Sequence, residues 1–541
     1  LSTVLRYLHT LQYLRPTQVI AYAWHGLQRP RPDTRPAPAA RAVADAYQAP
    51  VAGVPALVAA ERFRFLNVER GCSAAADWQP VGVDKLWIYN LHYFDDLNAR
   101  DAAARGIWHR PLLERWVREN PPGQGDAWDS FPLSRRIVNW VKWTLRGDEL
   151  PAACGASLAV QARWLRGRLE YHLLGNHLLV NAKALVHAGL YFTGPEAEGW
   201  YAHGMSIIEH QLREQLLSDG GHFERSTMYH ATVLEDLLDL LNLVRAYART
   251  PPAEWIAVIA RMRRWLKVMT HPDGEIAFFN DAAFHVAPSS AALEAFAARL
   301  GLEAVPNPQE PVTVLEPSGY IRALTRPVYL VCDCAPVGPD HQPGHAHADT
   351  LSFELSLFGR RVFVNSGTSR YGRDLERQRQ RGTAAHNTVV VDDQDSSEVW
   401  AGFRVARRAR AHLEAARATA DGALIDAWHD GYRRLPGRNE HWRRWRLNEQ
   451  SLHIEDRISG QFRTAAAHFH LHPDVGVRVL SERVVELTGA DGACARMTFE
   501  GAAAVEVHPS HWHPEFGIAL VNRCVVARFA GSTLATHVDW T

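Results

Sequence analysis

The period of the apolar residues changes once along this chain, and that change limits the fold more than any single motif. From about residue 134 to 300, apolar side chains recur at helical spacing. The runs are Gln161 to Tyr171, His177 to Phe192, Trp200 to Leu217, Tyr229 to Leu241, Glu254 to Thr270 and Ala291 to Leu300. Asn176 sits where an N-cap belongs, Ser134 is placed to cap an earlier helix, and Gly194-Pro195 and Gly301 act as stops. Successive helices with short connections predict helical hairpins stacked around an axis. After about residue 310 the pattern becomes alternation. Val328 to Cys334, Leu351 to Leu357, Leu452 to Ile458, Ala467 to His472 and Val477 to Leu487 are short, mostly alternating runs separated by turn residues. That is the signature of an antiparallel sandwich. Leu351 to Leu357 in particular reads as a strand with one buried face.

A chain of 541 residues exceeds a single core. The division expected is residues 1–75 as an N-terminal helical segment and Pro- and Ala-rich linker, 76–308 as the helical domain and 309–541 as the β domain. Lys plus Arg balance Asp plus Glu at 59 each, so bulk attraction to nucleic acid or an anionic membrane is not supported. No apolar run is long enough to span a membrane, and the chain opens at Leu1 without a signal-peptide pattern. Six scattered cysteines give neither zinc-finger spacing nor a disulfide framework, which leaves the redox compartment open.

The chemistry gathers between His341 and Asn387. His341-Gln-Pro-Gly-His345-Ala-His347-Ala-Asp349 precedes a strand, Val364-Asn365-Ser366-Gly367 follows the return strand, and Ala385-His386-Asn387 closes the segment. His345 and His347 point the same way if the backbone is extended, and with Glu354 and His386 they offer suitable metal-ligand types. Arginines from Arg360 to Arg410 crowd this region, either as a solvated, ion-paired face or as a groove for an anion. Earlier, Trp87 to Asp96 and Trp128 to Trp140 are rich in aromatics. Packing is their plain role; stacking of Trp128 on a sugar, with Arg135 or Arg136 reaching a carboxylate, is the functional one. His468, His470 and His472 alternate along one strand and His511-Trp-His513 follows; both read as packed or solvated strand residues.

Four motifs in order, Gly175-Asn176-His177, Glu224-Arg-Ser-Thr-Met-Tyr229-His230, His345-Ala-His347-Ala-Asp349 and His386-Asn387-Thr388, resemble those of the heparinase II/III-like polysaccharide lyases. The resemblance runs from about Trp87 to residue 410. It implies an incomplete (α/α) toroid followed by an antiparallel β-sandwich, and β-elimination of uronic-acid-containing glycans. In that reaction a donor neutralises the uronate carboxylate while a base removes the C5 proton and an acid protonates the leaving O4. By resemblance Asn176 is the carboxylate-binding residue, Tyr229 and His345 are the acid/base pair, and His386 is a second site histidine. Trp128, Arg135, Arg136, His177, Arg225 and His230 are their substrate-binding neighbours. No cofactor is required. Relatives with a structural zinc use positions matching His347 and His386 and an Asp where this chain has Asn365, a poorer ligand than carboxylate. The implied partner is an acidic polysaccharide and the implied setting periplasmic, with oligomeric state open. Two alternatives stand beside this reading: a glycoside hydrolase on an (α/α) toroid using Glu224 and Asp281, and a non-catalytic glycan-binding protein of a polysaccharide biosynthesis system.

Overall fold

The computed structural model describes residues 2–28, 30–489, 492 and 494–540. Two helices open it, α1 (Ser2–Leu11) and α2 (Pro16–Leu27). An extended stretch then leads to a small antiparallel sheet of Leu57–Ala59, Arg62–Phe65 and Val68–Gly71, which the linker reading did not anticipate. Nine helices follow: α3 (Lys85–Tyr93), α4 (Gly106–Glu119), α5 (Ser130–Leu145), α6 (Ala152–Arg166), α7 (Gly175–Tyr191), α8 (Pro195–Gln215), α9 (Thr227–Ala246), α10 (Glu254–Val268) and α11 (Ser290–Arg299).

Burial sorts these helices into inner and outer members. α7 and α9 are buried on almost every side, whereas α8 and α10 bury one stripe. Inner and outer helices alternate, as in an (α/α) toroid. α7 and α8 approach closely because glycine stands at the crossings. A Cβ on Gly204 would lie 2.8 Å from the Ala182 carbonyl, and one on Gly189 would lie 2.5 Å from the Tyr201 nitrogen. The inner ring also carries charge: Lys183 Nζ is 2.7 Å from both Asp236 and Asp239, and Lys142 Nζ is 2.8 Å from Asp239. Buried in this way, the ions tie α5, α7 and α9 together only as a complete set.

Two expected caps are not found. α5 starts at Ser130 after Asp129, so Ser134 lies inside the helix, where its hydroxyl donates to the Ser130 carbonyl at 2.7 Å. α7 starts at Gly175 after Leu174, so Asn176 is in the first turn and is not the N-cap. Leu174 and Gly175 both have positive φ (61° and 54°), and this turn presents Asn176. A Cβ on Gly175 would overlap the Gln342 side chain, 2.2 Å away.

The β region begins with a five-stranded meander, Val312–Leu315, Tyr320–Thr325, Val328–Asp333, Phe353–Leu357 and Arg360–Phe363. An eight-stranded sheet, a four-stranded sheet and a two-stranded pair (Val399–Trp400 with Arg404–Val405) complete it, and the three larger sheets share one core containing Leu330, Phe353, Ile425, Trp445, Phe469 and Val525. The strand Phe353–Leu357 is buried on both faces, not one as the alternation predicted. Its polar members face the helices instead of solvent. His271 hydrogen-bonds Glu354 at 3.0 Å and Ser356 at 2.7 Å. Around them Trp265, Val268, Met269 and Phe279 pack on Tyr320, Tyr329 and Val331, so the two regions share a hydrophobic seam. Tyr329 donates across it to the Val268 carbonyl at 2.6 Å.

The helical interior sets a pH dependence. Burial pushes His92, His187 and His230 down to about 3, reinforced by Arg136 at His92 and by Lys183 at His187. An unfolded chain protonates these rings near 6.5, so between about 6.5 and 3 it binds more protons than the folded one. Stability therefore falls as the pH drops through that window. Melting curves at stepped pH should show the midpoint falling from about pH 6.5 downward; a midpoint flat to pH 5 would mean that these rings ionise freely in the folded protein.

Candidate active site

Asp281 lies in the loop between α10 and α11 and reaches into the β region. Its Oδ2 accepts from His345 Nδ1 at 2.8 Å and from Arg377 Nη2 at 2.7 Å. Its Oδ1 accepts from His347 Nε2 at 2.9 Å, from the Thr368 hydroxyl at 3.1 Å and from Arg377 Nη1. Burial alone would raise its pKa, but Arg377, His345 and His347 hold the carboxyl well below the ordinary carboxylate range. The backbone is tied as well, because the Asp281 N–H donates to the His345 carbonyl at 2.9 Å. Its neighbour Asn280, at φ 57°, accepts from the His347 N–H at 2.9 Å and donates to the Arg225 carbonyl at 3.2 Å.

This frame sets Tyr229 against His345. The Ser226 hydroxyl donates to the Asp281 carbonyl at 2.5 Å and accepts from the Tyr229 N–H at 3.1 Å as the N-cap of α9. The start of α9 is thereby fixed to the Asp281 loop. The Tyr229 ring lies 4.0 Å from the His345 ring, tilted by 33°. The Tyr229 hydroxyl is 2.7 Å from that of Tyr371, whose ring stands 5.1 Å from the Arg377 guanidinium. Burial, then Tyr371 and Asp281, push the Tyr229 phenol well above 10, so it rests protonated. His345 retains 13% side-chain exposure, and its Nε2 lies 3.7 Å from Glu224 Oε2.

Glu224 and Asn176 complete the cluster from the helical side. Both Glu224 oxygens are buried, near His345 and the Asn176 backbone N–H but short of hydrogen-bonding geometry. Burial raises the Glu224 pKa, offset in part by His345 and His177. The Asn176 Oδ1 is buried without a partner. His177 is part-exposed and pairs with Glu170 at 3.2 Å. Burial lowers its pKa, but the Glu170 charge outweighs that and the net shift is upward.

Several residues expected to bind substrate have structural roles instead. Trp128 is in the core, packed 6.2 Å from Trp116 and 6.0 Å from Trp164, and is closed to a sugar. Arg136 is fully buried under the Trp116 ring and spends its donors on Gln161, His92 and Ala127. His230 is sealed in, bonded to the Met262 carbonyl at 2.9 Å and stacked on Trp265. Arg225, at φ 58°, donates to the carbonyls of Ser318 and Phe223, joining the helical and β regions. Arg135 is part-exposed but paired with Asp95 at 3.0 Å. His386 is buried behind His347, 5.2 Å ring to ring, and does not join the Tyr229–His345 pair. Burial pushes it down to about 3. Arg377 and Tyr371 carried no distinguishing signal within the arginine-rich stretch. Asp281 was visible only as a hydrolase carboxylate.

His347, Asp349 and His386 place one ligand atom each within 4.8 Å of one another, all buried. The His347 Nδ1 and both His386 nitrogens lack hydrogen-bond partners, so this donor set fits a zinc ion. Asn365 stands outside it. Its amide donates to the Phe278 carbonyl at 2.9 Å and accepts from the Asn387 N–H at 3.3 Å, and the carboxylate comes from Asp349. Glu354, occupied by His271 and by the backbone of Phe278 and Asn365, is likewise no ligand.

Sequence and structure comparisons place the chain in a family. The model described as heparinase II/III N-terminus matches residues 112–299, and that described as heparinase II/III-like, C-terminal, matches residues 307–541. The chain belongs to the heparinase II/III-like family. FtsZ-localized protein C of Caulobacter vibrioides is 26% identical over 460 residues, 80% of this chain and 77% of that protein. A heparin-sulfate lyase of Bacteroides stercoris is 26% identical over 251 residues, 42% of this chain; the match spans only 37% of the lyase. A crystal structure of heparinase III superposes with a TM-score of 0.70 at 19% identity, covering 86% of this chain and 79% of that one.

Asp281→Asn should destabilise the fold by roughly 3–5 kcal/mol, because Arg377 is left buried without its counter-ion. The double variant Asp281→Asn, Arg377→Met should recover part of that loss. Denaturant midpoints of the wild-type chain and of both variants check this, and a single variant with the wild-type midpoint would show the pair to be energetically idle.

Proposed function

We propose that this chain is a polysaccharide lyase that cleaves a uronic-acid-containing glycan by β-elimination. The observation that carries the reading is the close, tilted pair of Tyr229, from the helices, and His345, from the β region, with His345 Nδ1 held by Asp281. The C5 proton of a uronate is too weakly acidic to leave until the neighbouring carboxylate is neutralised. The Asn176 side-chain amide is the group available for that carboxylate, its N–H2 donating to the carboxylate oxygens. Burial raises the Glu224 pKa, which lessens the charge it sets against that carboxylate. His345 donates its Nδ1 proton to Asp281, which leaves Nε2 as the base for the C5 proton. Tyr229, resting protonated, gives its proton to the departing O4. Phe403, 40% exposed and 6.3 Å from the His345 ring, takes over from Trp128 as the aromatic surface open to a sugar.

The hydrolase alternative is weaker on this geometry. Both Asp281 oxygens are filled by cations and hydrogen bonds, and a carboxyl held so far down cannot serve as a general acid. The non-catalytic alternative has one observation in its favour, the long alignment with a protein named for its localisation and not for an activity. No step of the proposed elimination runs through a metal. We read His347, Asp349 and His386 as the residues that would hold a structural zinc, which would brace the loop carrying His345.

A panel of uronate polymers, led by the heparan type and including bacterial exopolysaccharides, tests the reading. Elimination leaves an unsaturated uronyl end that absorbs in the ultraviolet. Tyr229→Phe should lower the rate about a hundredfold or more with unchanged melting, and Asn176→Ala should cost a similar factor. The same polymer with its uronates reduced to neutral sugars should not be cleaved. Equal cleavage of both polymers would overturn β-elimination, and absence of any product across the panel would favour the binding protein.

A further inference from the structure

The histidine alternation late in the chain belongs to a cluster outside the site described above. The strands Ala465–His470 and Leu520–Phe529 run antiparallel, with His470 opposite Cys524 and His468 opposite Val526. Ala467, Phe469, Val525 and Ala527 on these strands face the sandwich core. His468, His470 and Cys524 therefore share the other face. His508, on the strand Ala502–Trp512, is also opposite Cys524 and stands 49% exposed at the rim.

We propose that His468, His470 and Cys524 form a zinc-binding site on this face, separate from the histidines near Asp281. The first ground is geometry. Cys524 Sγ lies 3.8 Å from His468 Nδ1 and 3.7 Å from His470 Nε2. With Zn–S near 2.3 Å and Zn–N near 2.05 Å, sulfur and nitrogen on one tetrahedral ion stand about 3.6 Å apart. The three donor atoms all lie within 4.8 Å of one another, so little movement is needed. The second ground is donor chemistry. One thiolate and two imidazoles suit Zn(II), and three protein ligands leave a fourth position for water on the side open to His508. The third is the surroundings of His470. Its Nε2 donates to the Ala384 carbonyl at 2.9 Å, and the Ser510 hydroxyl stands 3.4 Å from its Nδ1. When Zn(II) takes Nε2, the ring proton moves to Nδ1, where Ser510 can accept it as an outer-shell partner. The Cys524 thiol proton leaves to solvent as the Zn–S bond forms.

Co(II) titration of the metal-stripped chain tests the assignment. The expected result is a thiolate-to-cobalt charge-transfer absorption in the near ultraviolet, displaced by Zn(II) and lost in Cys524→Ser. The His347, Asp349 and His386 set contains no sulfur and cannot produce that band. His468→Gln, at a part-exposed position that should fold normally, should weaken the Co(II) affinity read from the band by about tenfold or more, since loss of a mere outer-shell partner already costs that much. A wild-type titration without the band, a band that survives Cys524→Ser, or an unchanged affinity in His468→Gln would each overturn the site.

Discussion

The contact on which this structure depends is the ion pair between Asp281 and Arg377. One partner comes from the helical region and the other from α12 (Leu375–Arg381) of the β region, and both are fully buried. Two ions taken out of water repay that cost only when every remaining donor and acceptor is also satisfied. Here His345, His347 and Thr368 complete the carboxylate, and Gly402 accepts from Arg377 Nε. The same bonds fix which nitrogen of His345 faces outward. Stability and site geometry thus come from one set of atoms, and the union of the two regions cannot loosen without disturbing the histidine.

The seam beside it explains why the β region is not an independent sandwich. A meander strand with Glu354 and Ser356 on one face would ordinarily turn that face to water. His271 and the Arg361 guanidinium meet it instead, and Trp265 and Tyr329 close the flanks. Burial raises Glu354 to about 7. A strand polar on one side and yet fully buried is possible because His271 and the Phe278 N–H from the helical region, with Arg361 and the Asn365 N–H from the β region, supply its partners.

How far the sequence revealed this follows from what each signal measures. Hydrophobic period reports which face of an element is turned to the core, so the toroid and the sandwich were legible. The sheet of Leu57 to Gly71 was not, being three or four residues per strand. Motif order was legible too, and it led to Asn176, Tyr229 and His345. Side-chain direction was not. Arg135 and Arg136 are adjacent, yet one points to the part-exposed Asp95 and the other under Trp116, a difference set by α5 packing against neighbours distant in sequence. Trp128 and His230 failed for the same reason. The role of Asp281 was hidden because its partners lie 64 to 96 residues away, a separation that no local pattern encodes.

Unsatisfied polarity gives the last argument about where chemistry is placed. A buried donor or acceptor without a partner costs about 1–3 kcal/mol, and a fold tolerates it where something is gained. Among the described residues with two polar side-chain atoms, only Glu224 and His386 have both buried and unpartnered. Both lie on the Asp281 frame: Glu224 beside His345, and His386 beside His347. Asn176 Oδ1 and His347 Nδ1 add two more such atoms nearby. Arg136, equally buried, has all its polar contacts met by Gln161, His92 and Ala127, and it does nothing but hold helices together. The contrast separates residues whose polar atoms are all met within the protein from those whose polar atoms are not, and it does so without reference to any relative. By that criterion the unmet groups on the helical side of the junction are acceptors, Asn176 Oδ1 and the two Glu224 oxygens, and those on the β side are ring nitrogens, His347 Nδ1 and both of His386.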